Sequence, residues 1–261
     1  MKSRVRLGVL LLLTGLGALV VFPIEALSDV LSSDEHTIAL YHFDEFYGPM
    51  GDKMCWTKDA SPNKLNISHV NTIAGPTDAG KYGKAVEFRK DDKSIQCEFK
   101  DKFMALYKGI KGYTVEMWFY PTAKSLGCLI SQSNFPYCGY MVNGSIEDIW
   151  LQMRHTDGQQ WHRLRAKLDE PLTINAWHHF AFTWDEYDAK IYIDGELAAS
   201  KELGPGEELN LVTDEKGVAS LWIGSRRGFE WFFKGKIDEV RISNVVRTPE
   251  EIAASADKLK K

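Results

Sequence analysis

From His36 onward, Gly, Asn, Asp and Pro cut the chain into short apolar runs, and this punctuation constrains the fold more than any other feature. Eleven runs read as strands: Thr37 to Phe43, Ala85 to Phe88, Ser94 to Phe99, Tyr113 to Tyr120, Cys128 to Gln132, Ile149 to Arg154, Trp161 to Lys167, Trp177 to Trp184, Ala189 to Ile193, Ser220 to Gly224 and Lys236 to Ile242. Many short strands with frequent turn signals predict an all-β sandwich or barrel. No amphipathic helical segments alternate with them, so a parallel α/β sheet is disfavoured. A length of 261 residues with 44% hydrophobic side chains buries one large core, and a single β domain of this size is ordinary.

Two runs show their faces. In Trp177 to Trp184, side chains alternate across the strand, so Phe180, Phe182 and Trp184 share the side expected to pack between sheets, away from Ala181 and Thr183. Tyr113 to Tyr120 is apolar on both sides except at Glu116, which predicts a central strand covered on both faces. Asp194-Gly195 is a hairpin dipeptide, so Ala189 to Ser200 reads as a hairpin. Thr248-Pro249-Glu250-Glu251 combines a hydroxyl cap, a proline at the first helical position and an acid three residues after the cap, predicting a short C-terminal helix to about Asp257.

Three positive charges in the first six residues precede an uncharged apolar run, Leu7 to Phe22, which is the pattern of an export signal. Ala26-Leu27-Ser28 places small residues before a cleavage point ahead of Asp29, so residues 1–28 read as a signal peptide, residues 29–35 as a lead-in and residues 36–257 as the domain. The alternative is an uncleaved anchor, since 16 residues are only slightly short of the roughly 20 that span a bilayer. The expected location is secreted or extracytoplasmic, in the periplasm or on the cell surface. Net charge moves from −4 to −6 on removal of residues 1–28, and no basic stripe follows a phosphate backbone, so nucleic acid is not an expected partner.

Cys55, Cys97, Cys128 and Cys138 are an even set in a chain read as exported, which predicts disulfides with three formal connectivities. Cys128 and Cys138 flank the turn-like Asn134-Phe135-Pro136, favouring a bridge across that hairpin and leaving Cys55 to pair with Cys97. The alternative is buried free thiols. The spacings are wrong for structural zinc.

Six blocks, in order, resemble a known family: Ile38 to Glu45 (IALYHFDE), Gly80 to Phe88 (GKYGKAVEF), Tyr113 to Pro121 (YTVEMWFYP), Asn175 to Trp184 (NAWHHFAFTW), Ile191 to Gly195 (IYIDG) and Phe233 to Ser243 (FKGKIDEVRIS), followed by Arg247 to Ile252. The set resembles laminin-G-like jelly-roll domains of the concanavalin A-like lectin and glucanase superfamily. That resemblance implies a two-sheet antiparallel jelly-roll β-sandwich with its first and last strands adjacent. Superfamily members bind glycans, bind proteins or accompany enzymes, so function has to be argued from a site.

Related domains hold a structural calcium with acids at the positions of Asp44 and Asp238, and the resemblance implies calcium there, with Glu45 or Glu239 able to join. The competing reading gives these acids hydrogen bonds or ion pairs with residues such as Arg241. A second candidate is aromatic: Tyr140, Trp150, Trp161 and the segment Phe229-Glu230-Trp231-Phe232 lie among Arg154, His155, Gln159, Gln160, Arg226 and Arg227. Aromatic faces edged by hydrogen-bonding groups suit sugar rings, and with arginine also suit protein contacts; core packing is the competing role for each ring. Tyr140, Trp150, Arg154, Trp161 and Trp231 are the ligand-binding candidates. Adjacent imidazoles at His178-His179 point to opposite sheet faces and do not share an ion. The sequons at Asn66 and Asn143 are read as chance.

No alternating acids on a strand, nucleophile elbow, zinc-protease helix or phosphate loop occurs, and the acids of Asp185-Glu186-Tyr187-Asp188 lie in a turn-like run. The expected function is a non-catalytic binding module for carbohydrate. A protein-interaction or cell-envelope structural domain ranks second and an unrecognised glycosidase third. Expected partners are a glycan or an extracellular or envelope protein.

Overall fold

The computed structural model describes residues 31–48, 56–70, 75–88, 94–97, 106–107, 109–134, 138–154, 161–204, 212–213, 217–218, 220–228 and 230–257. The export signal and its cleavage point, residues 1–28, lie outside them. Among the described residues no helix is long and apolar enough to cross a membrane.

Two antiparallel sheets form the sandwich. The eight-stranded sheet runs β15 (Glu196–Glu202), β14 (Asp188–Ile193), β13 (His178–Asp185), β8 (Gly112–Pro121), β19 (Gly235–Ser243), β6 (Ala85–Phe88), β5 (Gly75–Thr77), and β1 (Thr37–Tyr41) also pairs with β19. The nine-stranded sheet runs β12 (Trp161–Lys167), β11 (Asp148–Arg154), β10 (Cys138–Ser145), β9 (Ser125–Asn134), β18 (Ser220–Ile223), β7 (Ser94–Cys97), β4 (Ile67–Val70), β3 (Trp56–Thr57), β2 (Phe46–Tyr47). A small ribbon joins β16 (Val212–Thr213) to β17 (Gly217–Val218).

Period-two patterning places the core. Phe180, Phe182 and Trp184 of β13 and Tyr113, Val115, Met117 and Phe119 of β8 meet Tyr140 and Val142 of β10 and Ile149 and Leu151 of β11 between the sheets. The Tyr140 ring lies edge-on to Phe182 with centroids 5.0 Å apart. The other face of β13 is also covered: Ala181 and Tyr192 pack under Ile252 of α1 (Pro249–Ser255). α1 starts as its sequence dictates, with Thr248 and Glu251 closing a reciprocal capping box and Pro249 in the first turn. Asp194 and Gly195 take positive φ of 49° and 81°, as a tight β14–β15 hairpin requires.

All eleven expected runs form strands within a few residues of the expected bounds. β10 was not among them, because Gly139, Asn143 and Gly144 interrupt its alternation, yet it lies inside the sheet between β9 and β11. Neighbouring ladders satisfy a strand whose own side chains carry a weak signal.

The β9–β10 register corrects the expected hairpin disulfide. Cys138 stands opposite Asn134 while Cys128 stands opposite Asn143. The two cysteines are therefore separated by several residues along the ladder, about 20 Å at strand rise, whereas a disulfide needs Cα atoms within about 7 Å. Cys128 is a buried free thiol, and burial pushes it up to about 12. Cys55 lies outside the described residues.

Candidate functional site

Alternation on β11 sends Ile149, Leu151 and Met153 into the core and leaves Trp150 and Gln152 on the outer face of the nine-stranded sheet. Register then sets their neighbours: Asn143 of β10 stands opposite Trp150, and Arg163 of β12 stands opposite Gln152. The Gln152 side-chain amide donates to Asn143 Oδ1 at 3.1 Å. These side chains face a cleft of about 700 Å³, within the range of small-ligand sites, lined also by Trp231, Phe232 and Lys234.

Trp231 and Phe232 reach the cleft on a loop that folds back onto β9. Arg226 and Glu230 close its tip with backbone hydrogen bonds of 2.8 and 3.4 Å. The Cys128 amide then donates to Trp231 carbonyl at 2.6 Å. Gly127, at φ +62°, lets the loop approach, since a Cβ there would stand 2.4 Å from the Phe232 carbonyl oxygen. Trp231 is 43% exposed, a large apolar surface left open to solvent. Guanidinium groups lie over both indoles, Arg165 at 4.9 Å from the Trp150 ring and Arg226 at 4.8 Å from Trp231. The charge of Arg165 is met by Asp148, and that of Arg226 by Glu230.

Of the expected ligand-binding residues, Trp150 and Trp231 come together here. Tyr140 does not: alternation on β10 turns it inward, with no exposed surface, its hydroxyl 3.4 Å from that of Tyr113. Arg154 and Trp161 pair through their backbones at the far end of β11 and β12. Their side chains, and His155, Gln159, Gln160 and Phe229, lie outside the described residues. Asn143, Gln152, Arg163 and Lys234 were not singled out as ligand contacts. Stepping by two from Trp150 would have found Gln152; the others needed the ladder register.

Asp44 and Asp238 each accept from backbone amides of the same turn, residues 81–84. Along one edge of β19, β6 pairs with Gly235 to Ile237 and β1 pairs with Val240 to Ser243, leaving Asp238 and Glu239 at the bulge between them. Asp238 Oδ2 accepts from the amides of Lys81 and Tyr82 at 2.9 and 3.1 Å, and Asp44 Oδ1 accepts from that of Lys84 at 2.8 Å. Burial pushes Asp238 up to about 8, outweighing the amide bonds from Tyr82 and Lys81. A buried carboxylate so penalised as an anion is chemically suited to a hard cation. Among the described residues, though, no group of three or more His, Cys, Asp or Glu is arranged around one point. Glu239 turns instead to His42 Nδ1, 2.9 Å away, and to the Leu31 amide at 3.1 Å.

Arg241 serves neither acid. It reaches Glu116, whose carboxylate is fully buried, through Nε at 2.8 Å and Nη2 at 2.6 Å. Burial works against the charged Glu116, but His179 and Arg241 outweigh it and hold the carboxyl below its usual range. His178, on the opposite face, bonds Asp194 at 2.8 Å and the Thr173 carbonyl at 3.1 Å, so the two imidazoles are apart.

An antiparallel two-sheet sandwich with first and last strands paired, carrying an aromatic cleft on the outer face of one sheet, is a lectin-like jelly roll. The chain belongs to the concanavalin A-like lectin/glucanases superfamily, whose family profile matches residues 96–253. No curated protein sequence matches it. Among solved structures it is similar to domain 4 of AbnA, an extracellular arabinanase from Geobacillus stearothermophilus, in complex with arabinotriose: 20% identity, TM-score 0.59, covering 85% of this chain and 98% of that one. It is also similar to the botulinum neurotoxin serotype D binding domain, at 13% identity and TM-score 0.61 over 86% of this chain and 52% of that one. The binding domain of Paraclostridial Mosquitocidal Protein 1 gives 16% identity and TM-score 0.58 over 84% and 52%. The chain spans about half the length of those toxin binding domains.

Proposed function

We propose that this chain is an exported, non-catalytic carbohydrate-binding module whose saccharide site is the cleft between Trp150 and Trp231. The observation that carries this reading is the cleft itself: two indoles for the apolar faces of sugar rings, and the side chains of Asn143, Gln152, Arg163 and Lys234 for their hydroxyls. Its likeness in fold to an arabinanase domain solved with arabinotriose is consistent with a saccharide ligand. The paired carboxylates that glycoside hydrolysis uses are not found among the described residues that line the cleft. Export rests on the charged and apolar pattern of the first 22 residues.

A glycan array on residues 29–261 tests the reading. The expected result is binding to a defined saccharide set, weakened at least tenfold by Trp150→Ala or Trp231→Ala in a protein of unchanged melting temperature. Binding indifferent to both substitutions would remove the cleft from the account. A structural calcium held by Asp44 and Asp238 belongs to the same reading, supported by the turn of residues 81–84 to which both carboxylates are bonded. It predicts a higher melting temperature in millimolar calcium than in chelator, lost in Asp238→Asn; equal melting in both solutions overturns it.

A further inference from the structure

Each of the two indoles in the cleft is backed by an arginine that the cleft does not display. Asp148, Trp150 and Gln152 alternate onto the outer face of β11, and Arg165 of β12 stands opposite Trp150 in the ladder. The Arg165 guanidinium lies over the indole at 4.9 Å and is fixed there by Asp148, whose carboxylate accepts from Nε at 2.7 Å. Trp231 repeats the arrangement on unrelated backbone: Arg226 lies over the ring at 4.8 Å, and Glu230 meets its Nη1 at 3.4 Å. Trp231 itself holds φ at 53°, in the left-handed region that bulky side chains seldom take. Strain of that kind persists only where surrounding contacts over-determine it, and it collects at ligand clamps. The described residues lining the cleft include both tryptophans and neither Arg165 nor Arg226. Each cation therefore covers ring surface that the cleft does not use.

We propose that Arg165 and Arg226 are positioning residues for saccharide binding: each holds one indole in a fixed plane with its open face toward the sugar, and neither touches the sugar itself. This rests on the cleft being the saccharide site. Contact between a sugar ring and a flat aromatic depends on the orientation of the indole, so a tryptophan free to change rotamer loses part of that contact to the entropy of ordering it. A guanidinium is planar and stacks flat on an indole, and its fork of donors lets a carboxylate hold it in that plane. Carboxylate, guanidinium and indole form a three-layer stack, made once on the sheet and once on the loop. The rings are thereby ordered before the sugar arrives, which is how preorganisation raises affinity.

Titration calorimetry with arabinotriose, xylotriose, cellotriose and mannotriose tests this, on the unmodified chain and on variants of unchanged melting temperature. Arg165→Met and Arg226→Met should each weaken binding of the trisaccharides that the chain takes by about fivefold, the factor expected when one cation–π contact of ordinary strength is lost. Arg165→Lys and Arg226→Lys, which keep a cation over the ring without its planar stack, should recover part of the loss. In a Trp150→Ala background Arg165→Met should weaken binding no further, and the same holds for Arg226→Met in Trp231→Ala, because each arginine acts through its own indole. With 5-fluorotryptophan incorporated and no sugar present, the fluorine line that is lost in Trp150→Ala should broaden in Arg165→Met and stay sharp in Arg226→Met. A line that stays sharp in Arg165→Met, or affinity unchanged in both methionine variants, overturns the proposal, while the losses in Trp150→Ala and Trp231→Ala keep the site standing. A fivefold loss that persists without the indole also overturns it, since the guanidinium would then be reading the sugar directly. If none of the four trisaccharides binds, the proposal falls together with the site.

Discussion

Glu116 shows what a single residue can demand of this fold. It is the one charge in an otherwise apolar strand, and β8 is covered on both faces, so its carboxylate is buried and held by Arg241 and His179. Removing one partner of a buried pair leaves an uncompensated charge. Arg241→Met should therefore lower stability by about 3–5 kcal/mol. Urea unfolding should show this as a lower midpoint at unchanged slope, partly restored by adding Glu116→Gln; a shift below about 1 kcal/mol would mean that the pair is dispensable. The sequence marked Glu116 as exceptional but not its partner, because Arg241 lies 125 residues further along the chain and only the β8–β19 ladder places them opposite each other.

His178 and Asp194 supply a pH signature at the same scale. Burial lowers the imidazole, yet the Asp194 hydrogen bond raises it above its ordinary 6.5 overall. Burial likewise raises Asp194, and His178 more than reverses this, leaving it below its ordinary 3.8. The raised histidine contributes stability below pH 6.5 that fades as pH rises through its folded value. The lowered aspartate contributes stability above pH 3.8 that fades as pH falls. The pair is therefore worth most between these limits. Asp194→Asn tolerates the positive φ of the turn and removes the charge together with one of the two acceptor oxygens. Its stability deficit should peak near pH 5, at roughly 1 kcal/mol once the exposed part of Asp194 is discounted. A deficit that is flat with pH would show the charge to be irrelevant.

Among the elements, the loop before β19 couples fold to site. Its approach to β9 depends on Gly127, where any side chain meets the Phe232 carbonyl in a backbone conformation that favours glycine. Gly127→Ala should cost about 1–3 kcal/mol of stability and also weaken saccharide binding, because Trp231 and Phe232 are displaced from the cleft. Calorimetric affinity unchanged in a destabilised variant would separate the loop from the site. The helix and the β14–β15 hairpin were readable from local chemistry, since capping boxes and Asp-Gly turns are written in adjacent residues. β10 was not, because its hydrogen bonds depend on two neighbours rather than on its own alternation.

At the scale of the whole molecule, the two ends of the described chain meet on one face. Arg241 donates to the Ser32 carbonyl and to Ser255 Oγ, both at 3.1 Å. Arg247 ties Asp34 to Glu251. This clasp covers the outer face of the eight-stranded sheet, and the cleft opens on the outer face of the other sheet. A carrier protein fused after Lys261 should therefore leave saccharide affinity within about twofold of the unfused domain, while one inserted in the β10–β11 turn at Ile146 should abolish it. Loss of binding in the C-terminal fusion would contradict this opposition of faces.

By itself the sequence determined that the chain is an antiparallel sandwich, where most strands run, which side of β13 faces inward and where the helix begins. Each of these depends on periodicity or on residues a few positions apart. Trp150 and Trp231 could be singled out as candidates because large aromatics among polar residues are conspicuous in any chain. Only the tertiary structure decided that they share a cleft, that Tyr140 is core, that Arg163 and Lys234 join them and that Cys128 is remote from Cys138. Those outcomes turn on strand register, where a shift of one residue exchanges the inner and outer faces, and register is set by contacts between segments far apart in the chain.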